Sequence, residues 1–198
     1  MNLGENIINA FSVVCDCHLA TNKLMNHLKN DFDADKYVFI LRRYFLRYSS
    51  TADPYGWCFR SFILPFQRLA DGKISSNGCI ADAPIYVVDI KFTGYTTPKV
   101  LVSRMHYEGV GGWGEIAAND HWGFYQPNAF WCNDFDREYI KEGLFKVKPK
   151  TEAIGKKYWN FTGALTKELE LVDINGDNCK EMIFGAMEEL SCYPFVNE

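Results

Sequence analysis

The sequence predicts an α+β domain: a mainly antiparallel sheet running as a meander, with an amphipathic helix near each end of the chain packed on it. Three observations carry that reading. Apolar residues recur at helical spacing from Leu3 to about Lys29. Four runs rich in aromatic and β-branched residues then follow, joined by short turns with no helical stretch between them, and parallel neighbours would need long crossovers. Finally, Met182, Ile183, Met187 and Leu190 return to helical spacing. With 198 residues, 47% hydrophobic and 16% aromatic, and with no repeat or linker, the chain reads as one domain over 1–198. A chain of this length buries about 70% of its unfolded surface.

In order, Leu3, Ile7, Ile8, Phe11, Val14, Cys15, Leu19, Leu24, Met25 and Leu28 form the apolar stripe of one long helix, or of two with a break near Thr21-Asn22, and Ile7, Phe11, Val14 and Met25 are expected against the sheet. A polar turn precedes Tyr37 to Tyr48, the first strand. Asp53-Pro54 marks a turn before the strand Trp57 to Phe66, where Pro65 points to an edge position or a strand end. Ile85 to Phe92 and Val100 to Tyr107 are the next two strands. Tyr139 to Lys148 reads as a further strand or a short helix, Ile154 to Phe161 is ambiguous, and Glu168 to Ile174 is a short extended piece. Asn178, with Glu181 three residues on, marks an N-cap for a helix over about Cys179 to Ser191.

A net charge of -4 argues against a protein devoted to polyanions. The N-terminal stretch lacks a cationic region and a small-residue cleavage site, and no apolar run reaches the roughly 18 residues a membrane span needs, so no membrane partner is expected. The seven cysteines are odd in number, scattered and mostly set in apolar runs, which suits reduced thiols in the cytoplasm and no structural zinc. No cofactor motif is present.

Chemistry concentrates in Arg104 to Trp131, which holds His106, Glu108, Glu115, Asp120, His121, Trp113, Trp122, Tyr125 and the glycine-rich loop Gly109 to Gly114. The loop has neither the Lys-Ser/Thr of a phosphate loop nor a dinucleotide fingerprint. His106, Asp120 and His121 offer acid and base groups, but Asp120 and His121 are adjacent and face opposite ways on an extended chain, and no nucleophile accompanies them. Tryptophan and tyrosine dominate binding hot spots. The expectation is therefore a non-enzymatic, regulatory binding protein of the inhibitor or immunity type, which recognises a protein partner or a small ligand through Trp113, Trp122, Tyr125, His106, His121 and Asp120.

Four other patterns have chemical readings. Val87-Val-Asp89-Ile-Lys91 resembles the second half of a nuclease pattern in which an acid and a lysine, two apart on a strand, hold a metal and a water, with Asp82 as the first carboxylate. A surface ion pair is the plainer reading, and a small metal-dependent hydrolase or nuclease using Asp89 and Lys91, or His106, Asp120 and His121, is the alternative function. Asp173-Ile-Asn175-Gly-Asp177 followed by Glu181 resembles the calcium loops of dockerins and FG-GAP repeats, but Asn178 replaces the usual glycine and Phe184 replaces the closing glutamate, which leaves a turn and a helix start. Lys146, Lys148, Lys150, Lys156 and Lys157, interleaved with aromatic residues, are the one tract suited to nucleic acid, and they equally protect a sheet edge. In Cys15-Asp-Cys17-His18 only Cys15 and His18 share a helix face, too few for a metal site.

Overall fold

The computed structural model describes residues 2–40, 46–48, 61–72, 82–110, 113 and 122–194. Helix α1 spans Leu3–Asn30, opened by a capping box in which the Asn2 side chain accepts from the Glu5 amide and Glu5 reaches back to Asn2. Eight strands follow in one sheet: β1 (Tyr37–Phe39), β2 (Leu46–Tyr48), β3 (Ser61–Arg68), β4 (Ile85–Lys91), β5 (Lys99–Tyr107), β6 (Phe135–Lys141), β7 (Leu144–Pro149) and β8 (Phe161–Glu170). Two short helices, α2 (Trp122–Tyr125) and α3 (Glu152–Lys157), lie between strands, and α4 (Cys179–Ser191) ends the fold. The sheet order is β1-β3-β4-β5-β8-β7-β6, with β2 also on β3, and all of the pairings are antiparallel. An α+β domain with an antiparallel sheet and terminal helices is thus what the chain forms.

Two meanders, β3-β4-β5 and β6-β7-β8, join where β5 pairs with β8. The expected strand Tyr37 to Tyr48 is broken: β1 pairs with Phe66 to Arg68 and β2 with Ser61 to Ile63, so Leu64 and Pro65 of β3 face the break. That explains Pro65. It pairs with Val87 on the β4 side, its carbonyl accepts from Ile40 on the other, and its missing donor falls beside the interruption. β3 is therefore flanked on both sides, and the edge expectation is corrected.

Alternation along the strands splits the core between two faces. Phe62, Leu64, Phe66, Tyr86, Val88, Ile90, Val100 and Val102 face α4 and the C-terminal half of α1, while Ile63, Ile85, Val87, Met105 and Tyr107 face a layer of aromatic residues from 124–135 and 158–161. Both faces being covered makes three layers. α4 is tied down by polar side chains: Arg104 donates to the carbonyls of Leu190 (3.3 Å) and Tyr193 (3.0 Å), closing the helix C-terminus, and Arg68 bridges Asp71, Glu188 and Ser191.

α1 departs from expectation. Thr21, Met25 and Leu28 are buried, but Ile7 and Phe11 are more than half exposed and Val14 is only half-buried, so the stripe meets the sheet along the C-terminal half alone.

Candidate functional site

The described residues of the stretch 107–131 pack on the second face of the sheet, and their aromatic side chains fall into two groups. The first gathers on Trp159. Its ring meets Trp113 at 5.3 Å, Trp122 at 5.6 Å and Phe124 at 5.3 Å between centroids, each edge-on, the arrangement that the ring quadrupole favours. Trp113 also packs on Tyr107, and Trp122 on Tyr158. Two backbone features bring Trp159 there. Trp159 and Asn160 both take left-handed backbone, φ 60 and 59, costly for a bulky ring and sustained by the packing around it. Gly123 is the other: a Cβ there would lie 2.3 Å from the Trp159 ring, so only glycine admits the contact. Trp113, Trp122 and Trp159 are all half-buried.

The second group is turned outward. Trp131 is 60% exposed and Tyr139, on β6, 54%. Phe130, at the exposed margin, stands edge-on to Tyr95 at 4.9 Å, lies under the Arg137 guanidinium at 5.2 Å, and contacts Phe145, which in turn packs on Tyr139. The backbone carrying Phe130 and Trp131 is pinned from below. Buried Asn128 donates to Ser103 Oγ at 2.8 Å and accepts from Thr166 Oγ1 at 3.2 Å, tying this turn to β5 and β8. Arg137 donates to the carbonyls of Pro127 and Ala129, at 3.0 and 2.5 Å. Tyr125, the buried foot of the group, packs on Trp131 at 6.0 Å.

Beneath Tyr125 lies the Asp89–Lys91 pair. Their separation is 3.0 Å, both are buried, Ser61 donates to Asp89, and the Lys91 ammonium sits 4.2 Å from the Tyr125 ring centre. Burial lowers the Lys91 pKa, and Asp89 opposes that shift. The surface ion pair of the sequence reading is corrected to a core pair. Asp82 precedes β4 at the opposite end, roughly 20 Å along the strand direction, and does not join it.

His106 faces the other side of the sheet from Tyr107, in an open pocket of ≈ 480 Å³ lined by Asp82, Glu108 and Thr162 among others. Burial, helped by Arg104, holds its pKa down to about 3, so the ring is neutral at ordinary pH. Of the predicted site residues, the structure thus unites Trp113 and Trp122 through Trp159, sets Tyr125 in the core and separates His106. Asp120, His121, Glu115, Cys58 and Cys79 lie outside the described residues. The five described cysteines are free thiols.

In the loop 173–178 the Asn175 Oδ1 accepts from the amides of Asp177 and Asn178, and the Asn178 side chain accepts from Asn175 N and donates to Asp173 O. Asn178 therefore closes the turn instead of capping α4, which corrects the expected N-cap. Around the candidates Asp173, Asn175, Asp177 and Glu181, as elsewhere among the described residues, no three His, Cys, Asp or Glu side chains gather. The basic tract is diluted by acids. Lys156 pairs with Glu152 (2.6 Å), Lys157 with Asp134 (2.9 Å), Lys146 and Lys148 stand opposite Glu138 and Asp136, and Lys150 lies close enough to Asp134 to act on its carboxylate. No described helix is long and apolar enough to cross a membrane.

Phe130, Trp131 and Tyr139 were missed as a set. The sequence signal was weak: Phe130 and Trp131 close the focal stretch, and Tyr139 joins them only through the β6–β7 hairpin. Comparisons with protein-family models, with curated proteins and with solved structures found no match.

Proposed function

We propose that this is a non-enzymatic binding protein of the regulatory, inhibitor or immunity type, which recognises a protein partner through the end of the 104–131 segment, with Phe130 and Trp131 leading and Tyr139 and Arg137 beside them. One observation carries the reading: an exposed tryptophan and its aromatic neighbour ride on a backbone fixed by the buried hydrogen bonds of Asn128 and the partly buried ones of Arg137. Large apolar rings held rigidly at a surface bind with little ordering cost, and Trp, Tyr and Arg are the residue types that anchor interfaces. Trp113 and Trp122 support the same face from the Trp159 group. The free, scattered thiols suit a cytoplasmic setting.

The test is site-directed photo-crosslinking in the native cell. A photoreactive residue replacing Tyr139 is expected to capture one partner, the same residue at Lys148, on the other face of the sheet, is expected to capture none, and Trp131→Ala is expected to abolish the first crosslink. No capture at position 139, or equal capture at 148, sinks the reading.

A further inference from the structure

Three rings of the outward group come from separate parts of the chain and meet at one carboxylate. Tyr95 lies in the turn between β4 and β5, Phe130 in the turn that leads to β6, Tyr139 on β6, and Glu168 on β8. Tyr95 donates to Glu168 Oε1 at 3.2 Å, and the Tyr139 hydroxyl lies close enough for the same carboxylate to accept from it. Phe130 stands edge-on to Tyr95 and is 38% exposed, while Tyr139 is 54% exposed, so aromatic surface and the acid reach solvent together.

Burial first, and the Glu168 charge next, raise the pKa of both tyrosines, so both stay protonated and donate. The carboxylate is solvated by hydroxyls and not matched by a cation. Among the described residues Glu168 forms no salt bridge: Lys99 pairs with Glu170, Lys167 with Glu189 of α4, and the Arg137 guanidinium is held by the carbonyls of Pro127 and Ala129. A half-buried carboxylate set among ring faces draws a cation in two ways, through its own charge and through the ring quadrupoles.

We propose that the partner inserts an arginine at this point, with its guanidinium on Glu168 and its plane on the Tyr139 ring. Arginine suits the place better than lysine because its flat head forks onto a carboxylate and stacks on an aromatic face. The inference rests on the partner reading above and adds the chemistry that the partner must present: a basic side chain, where the exposed rings alone would accept an apolar one.

The full chain, with labelled tyrosine rings, is titrated by NMR with N-acetylarginine methylamide and separately with its citrulline analogue, which has the same shape and no charge. Tyr139→Phe identifies the Tyr139 signal. Arginine is expected to shift that signal saturably, and citrulline to bind tenfold or more weakly. Glu168→Gln keeps the size and an acceptor for Tyr95, and is expected to bring the arginine response down to the citrulline level with unchanged melting. Tyr139→Leu, at an exposed position and read at the Tyr95 signal, is expected to weaken the response about threefold or more while leaving the carboxylate in place. Equal responses to arginine and citrulline, or an arginine response that Glu168→Gln and Tyr139→Leu both leave intact, overturns this inference even where crosslinking at position 139 captures a partner. A charge-specific response with no capture at position 139 sinks the partner reading, and with it the source of the arginine, but not the site.

Discussion

Two tryptophan groups lie on one face of the sheet and draw on the same stretch of chain, yet one is turned in and the other out. Trp113 and Trp122 close on Trp159, where Gly123 removes the side chain that would block the ring and a left-handed pair of residues steers it inward. Trp131 is held away from that cluster by the clamp of buried Asn128 and half-buried Arg137. Residue type does not separate the groups. The backbone beneath them does, and a tryptophan's role follows from what fixes the chain on which it sits.

The largest effect is expected at the buried pair beneath the outward group. Lys91 supports Tyr125, and Tyr125 supports Trp131, so Lys91→Ala removes the ion-pair partner of buried Asp89 at a cost of about 3–5 kcal/mol. Replacing both partners, Asp89→Leu with Lys91→Met, is expected to recover most of it, because the desolvation penalty goes with the pair. Urea unfolding of the single and double variants checks this. A double variant as weak as the single one would show that the pair's worth is more than mutual neutralisation.

Next comes the inward group. Trp159→Ala is expected to cost about 3 kcal/mol or more, and Gly123→Ala about 1–3 kcal/mol as the added methyl drives the ring aside. Trp113→Ala and Trp122→Ala, each partly buried, should fall at about 1.5–3 kcal/mol. Thermal melts with fluorescence detection measure all four. Losses under about 0.5 kcal/mol for Trp159→Ala would mean that the cluster adds nothing to the fold beyond an ordinary surface site.

How much of this was legible in the sequence depends on whether a residue's neighbours are local. α4 was read at its observed bounds because its periodicity is its own. The three central strands β3, β4 and β5 were legible from short turns and β-branched runs. β8 was not: Phe161–Glu170 contains Gly163, Ala164, Leu165, Lys167 and Glu168, with helix formers among them, and it is a strand because β5 and β7 flank it. The hairpin β6–β7 hid behind Glu142-Gly143, a turn that works through Gly143 at φ 70 and lacks the usual Asn-Gly or Asp-Gly signature. At the site, the concentration of aromatics in 104–131 was visible. Their orientation was not, since Gly123, Trp159 and Asn128 act on partners 36 or more residues away or across strands.

The outward group should behave oppositely to the inward one. Trp131→Ala is expected to change stability by less than about 1 kcal/mol, since most of the ring is in water, while weakening partner binding tenfold or more, about 1.4 kcal/mol. Iodide quenching offers a partner-free check: Trp131 is the described tryptophan most open to solvent, and Trp131→Phe should remove most of the quenchable emission of that set. Retention of that emission would place the accessible ring elsewhere.

The smallest effect lies on the opposite face and calibrates the others. His106 is adjacent to Tyr107, yet its side chain faces Arg104 and Asp71 and lines the pocket with Asp82 and Glu108. Its pKa falls from 6.5 to about 3 on folding, chiefly through burial. Between those values the unfolded chain binds a proton that the folded chain refuses, so stability is full above pH 6.5 and declines as the pH drops toward 3. The ideal slope is about 1.36 kcal/mol per pH unit, and partial solvent contact reduces it, so the loss from pH 6.5 to 5 should be on the order of 1 kcal/mol. Among the described residues the carboxylates that shift in the fold, Glu152, Glu170 and Glu189 on their lysine partners and Asp134 on Lys157 and Tyr158, are all lowered and titrate below this window. The difference in urea midpoints between pH 7 and 5, compared between the natural chain and His106→Gln, therefore reads this histidine. His106→Gln should flatten the dependence, and a variant that loses as much stability as the natural chain would show that the imidazole is solvated and that the pocket does not hold it neutral.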